Sequence, residues 1–316
     1  MVDILHTTPE SVQLVVHALV RSGSGTIFFD CEGRDLGDQG GALILLSFGT
    51  PSDDDVHLVH VPLVGLPALR PLFNILESPV IEKIVFDGRM DQSALYHECG
   101  CVVLRNVVDI QIADIRARRQ RGERNASNFQ LSQIRRYLPD DNFAAHRSMY
   151  RDVHRLSGLA GLFKERKLEG KDLGGIKEKF ARKLDWEEQP LTDDHITYAA
   201  NDIRLLKKLH AHFVARCYIT DQVRRESAEY ISLWISSGQP ADSDPYRHHG
   251  LLPLGIVDAK GGKKNILCGG CTRKLGRDSF PKKSAEQGAK CFVCRAVDVR
   301  AEREAERERK NLKEEE

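Results

Sequence analysis

The chain has 316 residues, 29% of them charged, and a formal net charge of +1. That length holds one full α/β domain and one small module at ~100–200 residues per domain, and a near-neutral total charge points to no class of partner. No apolar run reaches the ~18 residues of a membrane span, and the opening MVDILHTTPESVQ lacks a basic segment leading into an apolar one, so neither a membrane protein nor a secreted one is expected.

From Leu5 to about Phe213 apolar runs alternate with helical patterns, as in an α/β domain. Thr7 and Glu10 have capping-box spacing ahead of a helical stripe of Val12, Leu14, Val15, Ala18 and Leu19, which Gly23 and Gly25 close. Residues 26–30 read as a buried strand, with 42–48 and 56–61 as its neighbours and a turn at 51–54. Then follow a helix at 67–76, a strand at 82–86, a helix at 90–99, and another at 109–119 behind Val107 and Val108. The arginine-rich stretch 116–136 has little periodicity and receives no element. Helical patterning returns at 156–163 and 196–213, and an amphipathic helix at 223–235 closes the domain. The expected layout is a domain over 1–236, a linker rich in Pro, Gly, Ser and Asp over 237–258, a basic cysteine module over 259–296, and a frayed helical tail of Arg and Glu over 297–316.

Asp30 and Glu32 stand two apart at the end of a predicted strand, a spacing that aims both carboxylates at one face. Tyr198 and Asp202 stand four apart in a helical pattern, one above the other on a single face. Asp91 opens the helix that follows a strand. Singly, each has an ordinary reading: a carboxylate at a helix N-terminus is favoured by the dipole, and a tyrosine or aspartate on a helix is commonly a packing or surface residue. Asp87, four residues before Asp91, competes with it. Cys31, between Asp30 and Glu32, points to the opposite face and reads as a core thiol.

Together, strand Asp-x-Glu, helix-start Asp and helix Tyr-x-x-x-Asp follow the order of the DEDD exonucleases. TIFFDCEGRDLG with ALILLSFGT resembles their first motif and its neighbouring strand. KIVFDGRMDQSALYHECGCVVLRNVVDIQIADI resembles the second, and WEEQPLTDDHITYAANDIRLLKKL the third. The resemblance spans about 26–209 and is nearest to ribonuclease D, Werner-type and Egalitarian-like 3′–5′ exonuclease domains, with Tyr198 marking the tyrosine subclass. It implies a ribonuclease H-like mixed sheet flanked by helices. It also implies two Mg²⁺ or Mn²⁺ ions held by Asp30, Glu32, Asp91 and Asp202, a water oriented by Tyr198, and nucleoside 5′-monophosphates released from the 3′ end of RNA or DNA. Oxygen-only ligands suit such hard cations, which can activate water and neutralise charge at a phosphodiester. Arg34, Lys83 and Arg89 lie near the motifs and are either phosphate contacts or solvated charges. The same choice holds for Lys164, Lys167, Lys171 and Lys177, while Asp109 and Asp114 read as structural. A scaffold that binds nucleic acid or protein without cutting is the alternative.

Cys268-Gly-Gly-Cys271 and Cys291-Phe-Val-Cys294 are separated by 19 residues, the spacing of a structural four-cysteine Zn²⁺ site. In an intracellular protein, cytoplasmic or nuclear, metal ligation is expected over disulfides. Ten Lys and Arg between Lys260 and Arg295, against Asp278 and Glu286, suit a phosphate backbone or a protein partner. His248 and His249 read as linker residues.

Overall fold

A computed structural model describes residues 2–120, 144, 153–168, 184–241, 256, 266–281 and 287–314. The chain divides into two compact units, Met1–Arg116 with Ser157–Ala241, and Ala117–Leu156 with Asp242–Glu316.

The first unit is built on six strands: β1 (Asp3–His6), β2 (Thr26–Arg34), β3 (Ala42–Gly49), β4 (Val56–His60), β5 (Glu82–Val85) and β6 (Val107–Asp109). They lie in the order β1-β4-β3-β2-β5-β6. β3 runs antiparallel to β2 and β4, whereas the β1–β4, β2–β5 and β5–β6 pairs are parallel. This is the ribonuclease H-like mixed sheet the resemblance implies. Strand β1 is an addition to the sequence reading. Its four residues sit at a sheet edge with only His6 buried, so no apolar run announces it.

One face of the sheet holds the main core. Ile27, Phe29 and Cys31 of β2 pack with Leu46, Phe48 and Val59 under α1 (Ser11–Arg21), the first of the helices, whose Val12, Val15 and Leu19 are buried. After α2 (Val61–Val64) and a 3-10 turn (Leu66–Leu69), α3 (Arg70–Leu76) and α4 (Arg89–Glu98) complete that layer. The capping-box reading for α1 does not hold. Glu10 is the N-cap and makes no side-chain cap, while Thr8 Oγ1 accepts from the Ser11 N–H at 3.4 Å. The helix does stop where expected, at Ser22 ahead of Gly23 with φ of 59°.

Beyond α5 (Ile110–Gln120) and α6 (Leu159–Glu165), the long α7 (Asp193–Ala215) covers the other face. Phe28 and Gly49 are register partners on that face, and a Cβ on Gly49 would meet Ile203 Cγ2 at 2.7 Å, so α7 lies close on the strands. The closing helical stretch divides at Ser232 into α8 (Asp221–Ile231) and α9 (Leu233–Ser237).

In the second unit a two-stranded hairpin, β7 (Ile266–Leu267) and β8 (Lys274–Leu275), precedes α10 (Phe292–Glu314). α10 runs without a break from the second cysteine pair through the charged tail. Among the described residues no helix is long and apolar enough to cross a membrane. Residues 121–136 of the arginine-rich stretch, Lys171, Lys177 and His248–His249 lie outside the described residues.

Candidate active site

β2 alternates its side chains between the two faces. With Ile27, Phe29 and Cys31 committed to the core, Phe28, Asp30 and Glu32 turn toward α7. The register shifts between Glu32 and Gly33. A Cβ on Gly33 would lie 2.0 Å from the Ala42 carbonyl oxygen, so only glycine lets β3 come this close at the end of the motif.

α7 brings the second contribution. Thr192 and His195 form a reciprocal cap at its start, with Thr192 Oγ1 and His195 Nδ1 2.7 Å apart, and Asp193 and Asp194 occupy the dipole-favoured first turn. One turn further on Tyr198 is half-buried, and a turn beyond it Asp202 is 3% exposed. Carboxylate oxygens of Asp30, Glu32 and Asp202 all lie within 4.8 Å of one another. Negative charges this close repel by roughly 1 to 4 kcal/mol per pair, depending on how much water screens them. An all-oxygen set of that kind fits a hard divalent cation.

Asp91 is placed differently. In the first turn of α4, its Oδ1 accepts the backbone N–H of Cys31 at 2.7 Å, which ties it to the residue between Asp30 and Glu32. It does not belong to the three-carboxylate group. Burial pushes its carboxyl up to about 7, the Asp87 charge adds to this, and the N–H bonds oppose it.

Asp87 is occupied elsewhere. Arg89 grips it with Nε and a terminal nitrogen at 2.6 and 2.8 Å, and the Tyr230 hydroxyl donates to it at 3.1 Å. Arg89 also lies 4.8 Å from the centre of the Tyr230 ring. The guanidinium holds the Asp87 carboxyl below its ordinary range against the effect of burial. Asp109 accepts the N–H groups of Gly88 and Gln111 at 3.0 and 2.8 Å, and Asp114 pairs with Arg166, so both brace the fold.

Two of the basic residues near the motifs are neither phosphate contacts nor solvated. Arg89 is 4% exposed, and Lys83 is fully buried, with Nζ donating to the carbonyls of Ser78 and Ile81 at 2.5 and 2.6 Å. Arg34 remains accessible and pairs with Glu187 at 3.1 Å. Lys164 and Lys167 are exposed.

One residue that the motifs did not single out, Trp186, stands beside Tyr198. Trp186 meets the His195 ring at 5.0 Å and the Tyr198 ring at 6.3 Å. It stands in the quoted WEEQPL segment and is one of two tryptophans, which was the available signal.

In the second unit the sulfurs of Cys268, Cys271, Cys291 and Cys294 lie within 4.8 Å of one another and form no disulfide. The N–H groups of Gly270 and Cys291 point at Cys268 Sγ from 3.4 and 3.2 Å. A Cβ on Gly270 would sit 2.6 Å from Cys294 Sγ, which explains the glycine inside the knuckle. Bonds from the other thiols hold Cys268 well below the ordinary thiol range, while Cys291 and Cys294 are pushed up. Four sulfurs this close do not all ionise unless a cation joins them, and the set fits a closed tetrahedral site.

No curated protein matches the chain. The RNase D of Trypanosoma brucei in complex with RNA U12 is 20% identical with a TM-score of 0.57, covering 92% of this chain and 89% of that one. The same enzyme's GMP complex is 20% identical with a TM-score of 0.55, covering 92% and 74%. At this identity the likeness concerns the fold. The sequence itself matches the model of the 3′–5′ exonuclease family over residues 7–217, about two thirds of its length. With that match spanning all three acidic motifs, the chain belongs to the 3′–5′ exonuclease family.

Proposed function

We propose that this chain is a metal-dependent 3′–5′ exonuclease acting on single-stranded or 3′-ended RNA or DNA and releasing nucleoside 5′-monophosphates. The observation that carries the reading is the cluster of Asp30, Glu32 and Asp202 oxygens within 4.8 Å, lying inside the family match. Asp30, Glu32 and Asp202, with Asp91 after release of the Cys31 N–H, are the residues that would hold two Mg²⁺ or Mn²⁺ ions. Bound there, such ions supply Lewis-acid activation of water and charge neutralisation at the phosphate. Tyr198, one turn from Asp202, orients the water. With an unperturbed pKa of ~10 a phenol is a weak base, so positioning is its role.

We place the exonuclease domain in 1–236, a linker in 237–258, the cysteine module in 259–296 and a charged tail in 297–316. The four cysteines hold a structural Zn²⁺ ion, and the exposed Lys274, Arg277 and Arg295 around them make nucleic-acid tethering the first role to test, ahead of protein docking. The reading in which the chain binds without cutting draws on Asp91, whose Oδ1 is taken up by Cys31.

The test is incubation with 5′-labelled single-stranded RNA and DNA in Mg²⁺, Mn²⁺ or EDTA, beside an Asp30→Ala, Glu32→Ala double variant. A metal-dependent ladder shortening from the 3′ end, absent in the variant, is expected. Binding without cleavage by the parent protein would overturn the catalytic reading in favour of the scaffold.

A further inference from the structure

The segment 184–190 leading into α7 forms a strap against His195, Tyr198 and Arg34, and the hydrolytic reading leaves it without a task. Three elements anchor it. His195 Nε2 of α7 meets the Asp185 carbonyl at 3.0 Å, Arg34 at the end of β2 pairs with Glu187 at 3.1 Å, and His60 Nε2 of β4 meets Gln189 Oε1 at 3.0 Å. Trp186 sits between the first two anchors. It lies edge-on to His195 and Tyr198, with interplanar angles of 71° and 64°, so neither ring stacks parallel on it, and it stays partly open to solvent.

Resting on the exonuclease reading, we propose that Trp186 is the stacking platform for the base of the 3′-terminal nucleotide. Tyr198 is one helical turn from Asp202, whose oxygen joins those of Asp30 and Glu32. An indole beside Tyr198 therefore lies within one nucleotide of the scissile position. An enzyme that removes residues one after another meets a new terminal base at each cut. Its seat must accept all of them, and an aromatic ring does so because every base has a π-face, whereas hydrogen-bond readout would discriminate. The three anchors hold the ring in place before the strand arrives, which lowers the ordering cost of binding.

The experiment uses the full chain, as parent, Trp186→Ala and Trp186→Phe. The substrates are one 5′-labelled oligonucleotide ending in an ordinary nucleotide and one ending in an abasic residue. Dissociation constants are measured with Glu32→Gln present throughout and Ca²⁺ as the cation, so that strands stay whole; rates are measured with Glu32 intact in Mg²⁺ or Mn²⁺. Trp186→Ala is expected to weaken binding of the ordinary strand about 5- to 150-fold and to raise KM with little change in kcat. Trp186→Phe should retain most of the affinity. The abasic strand should lose nothing further on substitution, because the base that Trp186 contacts is already gone. Equal losses on both strands, no loss on either, or a Phe variant as weak as Ala would overturn the proposal. Base-dependent binding without cleavage by the parent would refute the exonuclease reading while leaving the platform standing, and a parent that binds neither strand would overturn both.

Discussion

Arg89→Met removes the cation from the buried knot at the start of α4. Arg89 is 4% exposed and makes two hydrogen bonds to Asp87, at 2.6 and 2.8 Å. Breaking a fully buried pair by deleting one partner costs ~3–5 kcal/mol. The Asp87 side chain is 32% exposed, so water reaches it and the loss should fall lower, at about 2–3 kcal/mol. Loss of the contact with the Tyr230 ring adds ~0.5–1 kcal/mol. The sign of the pH dependence follows from Asp87. With Arg89 present its carboxyl is held below the ordinary value, so the pair stabilises the fold above the unfolded carboxylate range and loses that contribution as pH falls. Without Arg89, burial raises the carboxyl instead, and the ionised form then carries a cost that grows as pH rises from about 4. The deficit of the variant should therefore be larger at pH 8 than at pH 5, measured by urea unfolding followed by circular dichroism. A variant within about 0.5 kcal/mol of the parent at both pH values would refute the reasoning, and Asp87→Asn combined with Arg89→Met should recover part of the loss.

Three further outcomes are expected. Burial, with His57 as a lesser cause, lowers His6 from 6.5 to about 4, and its Nε2 lies 3.1 Å from His57 Nδ1. The neutral pair is at full strength above pH ~6.5, and up to ~3 kcal/mol is lost as pH falls toward 4; His6→Gln should flatten unfolding midpoints across that window. Gly33→Ala forces a Cβ against the Ala42 carbonyl and should cost ~3 kcal/mol or more, with loss of any activity that depends on Glu32, read by thermal unfolding and strand shortening. The full chain purified with zinc should hold one ion through the four cysteines, and Cys268→Ser should release it, measured by elemental analysis, with α10 losing helicity at its first turn.

Several misreadings share one cause. Lys83 and Arg89 look like solvated charges or phosphate contacts in the sequence, because a charged residue beside a motif carries no sign of what will cover it. Tyr230 of α8, 143 residues from Asp87, meets Arg89 and Asp87, and Lys83 turns its ammonium onto the Ser78 and Ile81 carbonyls. The capping-box spacing at Thr7 and Glu10 met the pattern, yet the chain turns one residue later and Thr8 makes the contact. Strand β1 gains its place by pairing with β4, with Arg204 bound to Asp3, rather than from its own composition.

What the sequence determined is what local periodicity governs. A period of two sends Asp30 and Glu32 to the same face of β2, a four-residue step aligns Tyr198 with Asp202 on α7, and the paired C-x2-C spacings bring each cysteine couple together. The tertiary structure decided how those local pairs meet. Packing α7 on the sheet face opposite the core joins Asp202 to Asp30 and Glu32, the Cys31 N–H takes up Asp91, and anchors from three elements set Trp186 beside Tyr198. Backbone geometry repeats over two to four residues and can be read along the chain, whereas burial and hydrogen-bond partners depend on segments that only folding brings together.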